Sequence, residues 1–214
     1  MEIGRGVQYK VIDMQDGRVK KIPLTREESR AVIATWYAPN KIPDKELVID
    51  YAELAIGANK RTGGLIHKYP AIAYTFANPI FEGEAVYTQD KVAILGDVLS
   101  EGSTVEGQKL IDSYIELILL QWQYGISERV FNFTINNGVD RDYNVVLLDF
   151  GEITSDKDKI TLGIDNQRWL QAISYQQHMP ESLKDYYASK MNERLTTQTL
   201  SNIWATALGP IPNS

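Results

Sequence analysis

The first half of the chain alternates between short apolar runs and polar breaks, a pattern typical of strands joined by tight turns. Residues 7–12 and 18–24 each predict a short strand. The pair Asp16-Gly17 between them is a strong signal for the turn of a hairpin. We therefore expect the chain to open with two antiparallel strands.

Helical and extended patterns then alternate up to about residue 98. A helix is predicted to begin at Thr25, because Thr25 and Glu28 have the spacing of a capping box. A second helix is predicted over residues 45–60, where apolar residues share one face. Residues 71–98 are predicted to be extended, since turn signals separate their apolar runs.

The second half is mostly helical by pattern. Apolar residues after Gly107 cover so much of the surface of a helix that this helix must be buried nearly all round. A short alternation over residues 131–135 predicts a strand, and the apolar run over residues 145–148 predicts another. Further helices are predicted over residues 166–178, 181–194 and 196–207.

Composition narrows the possible chemistry. The chain has 214 residues, a formal net charge of −6 and no cysteine. This length suits one domain or two small lobes. The absence of cysteine excludes disulfides, thiolate metal sites and a cysteine nucleophile. With only His67 and His178, a histidine-rich metal site is excluded as well.

Charge and hydropathy also bear on partners and location. The acidic balance argues against nonspecific binding to nucleic acid, because no basic excess is available to cover phosphates. No apolar run approaches the roughly 20 residues that span a bilayer, and the start of the chain has no signal-peptide pattern. We therefore expect a cytoplasmic protein without a nucleic-acid or membrane partner.

The strongest chemical signal is the segment that ends in Asp149-Phe150-Gly151. A carboxylate just after a buried strand, followed by glycine, places a fixed anion that can hold Mg²⁺ against nucleotide phosphates. Asn132 is predicted to open the partner strand of a hairpin and so to lie beside the end of the strand before Asp149. Its amide oxygen could then bind the same ion.

A second signal lies at the N-terminus, where Gly4 and Gly6 precede the first predicted hairpin. Glycines let backbone N–H groups approach phosphates without interference from a Cβ atom. A lysine on the next strand could reach a phosphate oxygen. Lys20 and Lys21 point to opposite faces of that strand, and we favour Lys21 because it shares a face with Val19.

In this order, the glycine segment, the strand lysine, the buried helix and the Asp-Phe-Gly segment resemble the protein kinase-like fold. The resemblance covers roughly residues 3–155 and is nearest to small, atypical bacterial kinase-like proteins. It implies a reduced two-lobed α+β fold. A β-rich N-lobe would span residues 1–98 and a helical C-lobe residues 99–214, with ATP and Mg²⁺ bound between them.

The resemblance also implies the roles of residues in the first lobe. Gly4 and Gly6 would cover the phosphates of ATP, and Lys21 would pair with a phosphate. Glu53 would be the partner of that lysine, with Glu46, Glu28 and Glu27 as alternatives that spacing does not separate. The hinge that faces adenine through backbone groups would consist of Leu95, Gly96, Asp97 and Val98.

In the second lobe, Asn132 and Asp149 match the metal-binding asparagine and aspartate of the family. Asn137 is a rival for the asparagine, closer to Asp149 but placed inside the predicted turn. The family's catalytic aspartate lies five residues before this asparagine, where the sequence has Ser127. Serine cannot accept the substrate proton as a carboxylate does.

Neighbouring carboxylates are weaker candidates for that base. Glu128 is expected to be a solvated loop residue, and Asp140 and Asp142 are expected to be turn residues. The leading hypothesis is a divergent phosphotransferase of unknown substrate, with a protein as one candidate. The alternatives are a noncatalytic pseudokinase that responds to nucleotide through a partner, and an enzyme that transfers AMP.

Overall fold

The structure, a computed structural model, divides into two compact units, Met1–Lys91 and Val92–Ser214. The sequence instead placed the end of the first lobe at residue 98. The residues that the structure describes are 1–6, 8–36, 51–83, 85–151 and 153–208. The two units are described in turn.

The first unit is built on a five-stranded antiparallel sheet in the order β1-β2-β3-β5-β4. Lys21 of the third strand lies opposite Val11 on one side and opposite Tyr87 on the other. Gly17 has a φ of 85° in the turn between the second and third strands, so the predicted hairpin is confirmed. The strands are β1 (Glu2–Arg5), β2 (Tyr9–Asp13), β3 (Arg18–Pro23), β4 (Ile80–Phe81) and β5 (Tyr87–Asp90).

Helices α1 (Arg26–Trp36) and α2 (Tyr51–Lys68) also belong to this unit, as does a 3-10 helix at Pro70–Phe76. The predicted capping box is confirmed: the backbone N–H of Thr25 donates to Glu28 at 2.8 Å, and the N–H of Glu28 donates to the Thr25 hydroxyl at 3.2 Å. The second predicted helix continues eight residues past its expected end at 60, and residues 45–50 lie outside the described residues.

The second unit is mainly helical and has two small antiparallel sheets. One sheet has the order β6-β8-β9 and the other pairs β10 with β7. Its strands are β6 (Ala93–Ile94), β7 (Ser127–Glu128), β8 (Asn137–Val139), β9 (Val145–Leu147) and β10 (Ile153–Thr154). Its helices are α3 (Leu95–Glu101), α4 (Thr104–Gln123), α5 (Phe133–Asn136), α6 (Lys157–Asp165), α7 (Arg168–Gln171), α8 (Glu181–Arg194) and α9 (Thr197–Trp204), with a π-helical turn at Ser174–His178.

Helix α4 forms the centre of the second unit. Ser103 and Glu106 cap its start with a capping box, which satisfies backbone N–H groups at the helix end. Helices α8 and α9 and strand β9 pack against it. Its apolar side chains from Leu110 to Trp122 are buried except for Leu120, which is half-buried, and this confirms the prediction that the helix is largely enclosed.

The predictions of local structure over residues 131–135 and 71–76 were wrong. Residues 131–135 do not form a strand, because residues 133–136 form helix α5 and the next strand begins only at Asn137. Residues 71–76 are not extended either, since they belong to a 3-10 helix that begins at Pro70. Among the described residues, no helix is both long enough and apolar enough to cross a membrane.

Candidate functional site

The structure separates the two candidate lysines of β3. Lys21 is 8% exposed and its Nζ lies 5.8 Å from the centre of the Tyr87 ring. Val19, also buried, shares this face, as the alternation of the strand predicts. Lys20 is on the other face and forms a salt bridge with Glu82. Lys21 is therefore the better candidate for a buried phosphate-binding cation.

Gly4 and Gly6 lie at the hairpin that joins β1 to β2. The backbone N–H of Gly6 donates to the carbonyl of Tyr9 at 2.9 Å, and Val7 lies outside the described residues. A Cβ atom at Gly4 would come no nearer than 3.9 Å to Val11, and one at Gly6 no nearer than 4.0 Å to Tyr9. Packing within the unit does not require glycine here, which is consistent with a backbone kept open for a ligand.

The glutamates proposed as partners of Lys21 have different surroundings. Glu53 lies in the first turn of α2 and is exposed. Glu28 is engaged in the capping box of α1, where hydrogen bonds from Thr25 lower its pKa. Glu27 is exposed on the same helix, and Glu46 lies outside the described residues.

The predicted hinge has a different conformation from the expected one. Leu95, Gly96, Asp97 and Val98 form the first turn of α3, so the prediction that these residues are extended was wrong, while their role as a hinge stays a prediction. Their carbonyl groups point along a helix and accept its internal hydrogen bonds. Gly96 serves packing, because a Cβ atom there would lie 2.9 Å from the carbonyl oxygen of Thr134.

Strands β8 and β9 bring an asparagine beside the segment that carries Asp149. Asn137, the first residue of β8, lies opposite Leu147, and the N–H of Leu148 donates to the carbonyl of Asn136 at 2.8 Å. Asp149 follows directly and is half-buried, and its Oδ1 accepts from the N–H of Gly151 at 3.0 Å. The asparagine that opens the partner strand is thus Asn137, where the sequence argument placed Asn132.

The side chain of Asn137 is fully buried and only partly satisfied. Its Nδ2 donates to the carbonyl of Phe133 at 3.1 Å, while its Oδ1 has no hydrogen-bond partner among the residues that the structure describes. A buried acceptor left unsatisfied is costly, so this oxygen suits an additional ligand such as a cation. Carboxylate and amide oxygens are ligands that Mg²⁺ accepts. The chemistry of Asn137 and Asp149 therefore fits a magnesium ion.

Asn132 lies five residues before Asn137, at the N-terminus of α5. Its carbonyl accepts from the N–H groups of Ile135 and Asn136, at 3.1 and 2.8 Å. In the family, the catalytic aspartate lies five residues before the metal-binding asparagine. If that asparagine is Asn137, the position of the catalytic aspartate is held by Asn132, where the sequence had predicted Ser127. Ser127 is fully buried in β7, and its hydroxyl accepts from the indole N–H of Trp122 at 3.1 Å.

Glu128 is not the solvated loop residue that the sequence indicated. It is 2% exposed, and its Oε2 accepts from the Tyr114 hydroxyl at 2.8 Å. Its Oε1 accepts from the backbone N–H of Asn132 at 3.0 Å. Burial, followed by the charge of Glu128, raises the pKa of Tyr114 well above its ordinary value, so the tyrosine remains a neutral donor.

Asp140 and Asp142 have the turn roles that were expected. The Oδ1 of Asp140 accepts from the backbone N–H groups of Asp142 and Asn144, at 2.9 and 2.8 Å, which closes the turn between β8 and β9. Asp142 is exposed in that turn. Among the described residues, no three His, Asp or Glu side chains gather as a metal cluster. A metal near Asp149 would therefore depend on amide oxygen as well.

Comparisons with known proteins bear on the fold. No protein-family model matches the chain, and no curated protein matches it in sequence. In structure, the chain is similar to the bifunctional kinase-methyltransferase WbdD, with a TM-score of 0.50 and 15% identity over 94% of this chain. It is also similar to the Rio2 kinase of Chaetomium thermophilum, solved with ADP/Mg²⁺ and phosphoaspartate, with a TM-score of 0.51 and 13% identity over 96% of this chain.

These likenesses show that the chain has a reduced, two-lobed protein kinase-like fold, as the resemblance implied. The chain spans 42% of the length of the WbdD chain and 60% of the Rio2 chain. At identities this low, the likenesses establish the fold and leave the activity open.

Proposed function

We propose that the chain binds ATP with Mg²⁺ and acts as a divergent kinase-like phosphotransferase. The observation that carries the proposal is the unsatisfied, buried Oδ1 of Asn137 at the start of β8, in a hairpin whose other strand leads to Asp149. Asp149 and Asn137 would hold the metal, and a bound Mg²⁺ would neutralise charge on the phosphates.

The first unit supports the same proposal. Lys21 would supply the cation that binds a phosphate, because it lies on the buried face of β3, whereas Lys20 lies on the other face. Gly4 and Gly6 would let backbone N–H groups approach the phosphates. The Rio2 neighbour was solved with ADP/Mg²⁺, which is the ligand class proposed for this chain.

With Asn137 as the metal ligand, Asn132 stands five residues earlier, where the family has its catalytic aspartate. An amide cannot accept the proton of a substrate hydroxyl. Glu128 does not replace it, since both of its carboxylate oxygens accept hydrogen bonds inside the second unit. Phosphoryl transfer would then depend on positioning and charge stabilisation, which supply most of the catalysis in this reaction class.

A second candidate function follows from the same amide. A protein that binds nucleotide but lacks a base at Asn132 could act as a noncatalytic, nucleotide-responsive binding protein. Incubation with γ-labelled and α-labelled ATP separates these functions. Transfer of the γ label supports the phosphotransferase, transfer of the α label indicates AMP transfer, and no transfer of either supports the noncatalytic function.

Nucleotide binding itself is tested by thermal unfolding. A ligand that binds only the folded state at 100 times its Kd stabilises that state by about 2.7 kcal/mol. ATP with Mg²⁺ should therefore raise the Tm of the wild-type chain, and ATP with EDTA should raise it less. No shift at millimolar ATP and Mg²⁺ contradicts the proposal.

The lysine assignment has a matched control in the adjacent residue. Lys21→Met should weaken ATP binding, because it removes the proposed phosphate contact while keeping a side chain of similar length. Lys20→Met removes an exposed salt bridge and should leave ATP affinity unchanged. Calorimetric titration with ATP and Mg²⁺ measures both. Equal affinities for the two variants would show that Lys21 is not the phosphate-binding lysine.

A further inference from the structure

Glu128 is a buried carboxylate to which the proposed function assigns no role. A carboxylate that is 98% buried loses its hydration, and this loss must be offset by hydrogen bonds in defined positions. A residue of this kind is expected to fix the groups that donate to it. The identity of those groups therefore indicates what Glu128 does.

Two of the groups that donate to Glu128 come from a core helix and from a loop. The Tyr114 hydroxyl belongs to α4 and donates at 2.8 Å. The backbone N–H of Asn132 belongs to the loop before α5 and donates at 3.0 Å. The backbone N–H of Glu128 itself donates to the buried Oε1 of Gln121 on α4, at 3.1 Å. Glu128 thus connects the start of α5 to the central helix.

The loop before α5 has a strained residue on one side of Asn132 and a tightly packed aromatic ring on the other. Phe131 has a φ of 53°, a left-handed conformation that a non-glycine residue adopts only when its surroundings impose it. Phe133 packs against the rings of Tyr114 and Tyr187, with centroids 4.6 and 5.3 Å away. The hydrogen bond from Asn132 to Glu128 lies between these two phenylalanines.

The hydrogen bond from the Asn132 N–H to Glu128 lies only five residues before Asn137, the proposed metal ligand. The carbonyl of Asn132 starts the turn of α5, whose last residue is Asn136. Asn137 follows at once, and its side chain donates to the carbonyl of Phe133. Any movement of the peptide at Asn132 would therefore reach the side chain of Asn137 within a single helical turn.

We infer that Glu128 is a positioning residue: its carboxylate holds the peptide at Asn132 and so fixes α5 and the amide oxygen of Asn137. The effect on the metal rests on the proposed function, whereas the effect on the loop does not. Two substitutions separate them from simple loss of stability. Glu128→Gln keeps an acceptor for the Asn132 N–H, and Glu128→Met has similar length but keeps none.

Hydrogen–deuterium exchange of a peptide covering residues 129–137 tests the loop. In Glu128→Met, exchange should be faster by about tenfold or more, as expected for a lost hydrogen bond to a charged group. Glu128→Gln should stay within about twofold of the wild type, because the acceptor is retained. Gly107→Ala, which crowds Leu183 of α8, controls for general destabilisation.

The inference is overturned if Glu128→Met exchanges like the wild type, if Glu128→Gln fails to retain protection, or if Gly107→Ala loosens the same peptide as much.

The second measurement is the gain in ATP affinity on adding Mg²⁺. Glu128→Met should reduce this gain and leave ATP affinity in EDTA unchanged; a loosened loop with an unchanged gain overturns the link to the metal ligand. Lack of any gain in the wild type refutes the proposed function instead, while the exchange result still decides whether Glu128 holds the loop.

Discussion

Removing the Tyr114 hydroxyl measures how much stability depends on the hydrogen bond that it donates to the buried carboxylate of Glu128. Tyr114→Phe keeps the ring, and with it the packing on Phe133 at 4.6 Å, but deletes the donor to Glu128. A hydrogen bond to a charged group contributes about 1.5–3 kcal/mol, and here no water can replace it because both residues are buried. We expect a loss of about 1.5–3 kcal/mol in the free energy of unfolding.

The chain contains a matched control on α8. The Tyr186 hydroxyl also donates to a carboxylate, that of Asp112, at 3.0 and 3.1 Å, but this pair is exposed to solvent. Water can replace such a bond, so Tyr186→Phe should change the stability by less than about 0.5 kcal/mol. The two variants delete the same atom from the same chemical pair and differ in burial.

Urea unfolding followed by tryptophan fluorescence measures both variants. The buried residues Trp122 and Trp169 report on the second unit. For a chain of this size, the expected loss in Tyr114→Phe corresponds to a fall in Tm of about 3–12 °C. Equal losses in Tyr114→Phe and Tyr186→Phe would refute the argument that Glu128 depends on buried donors.

Two further predictions concern helix packing and capping. Gly107→Ala should destabilise the second unit by about 1–2 kcal/mol, because the new Cβ would lie 2.5 Å from Leu183. Gly57→Ala on α2 meets only the flexible end of the Arg61 side chain and should be neutral or stabilising by up to about 1 kcal/mol. Thermal unfolding compares the two variants. Ser103→Ala should cost about 1 kcal/mol at pH 7 by removing the cap of α4, with no loss in urea unfolding as the contradicting result. Hydrogen bonds from Ser103 lower the pKa of Glu106, so the capping stability is present above the unfolded pKa of about 4.3 and is lost as pH falls through the folded pKa. The difference between Ser103→Ala and the wild type should therefore shrink below pH 4.

Much of the fold could be predicted because local chemistry determines it. The capping box at Thr25, the tight turn at Asp16-Gly17 and the apolar surface of α4 each act within a few residues of the chain. The order of the motifs then indicated the kinase-like fold. The position of Asp149 just after a buried strand could be predicted for the same reason.

The loop before β8 could not be predicted in this way. Residues 131–135 alternate like a strand, yet Phe133 is held between tyrosines from α4 and α8, and residues 133–136 coil as a helix. This shift moves the start of the strand to Asn137 and changes which asparagine opens the strand paired with the one that precedes Asp149. Glu128 was misjudged because a backbone N–H group donates to it, which sequence does not reveal, and because another donor, Tyr114, lies 14 residues away in the chain.

The central claim is that Asp149 holds a magnesium ion for ATP, and Asp149→Asn tests it most directly. Asp142→Asn makes the same change of charge in the exposed turn of the β8–β9 hairpin and serves as the control. Calorimetric titration with ATP, in Mg²⁺ and in EDTA, gives the gain in affinity due to the metal. We predict that Asp149→Asn loses most of this gain and that Asp142→Asn retains it. An undiminished gain in Asp149→Asn would contradict the account.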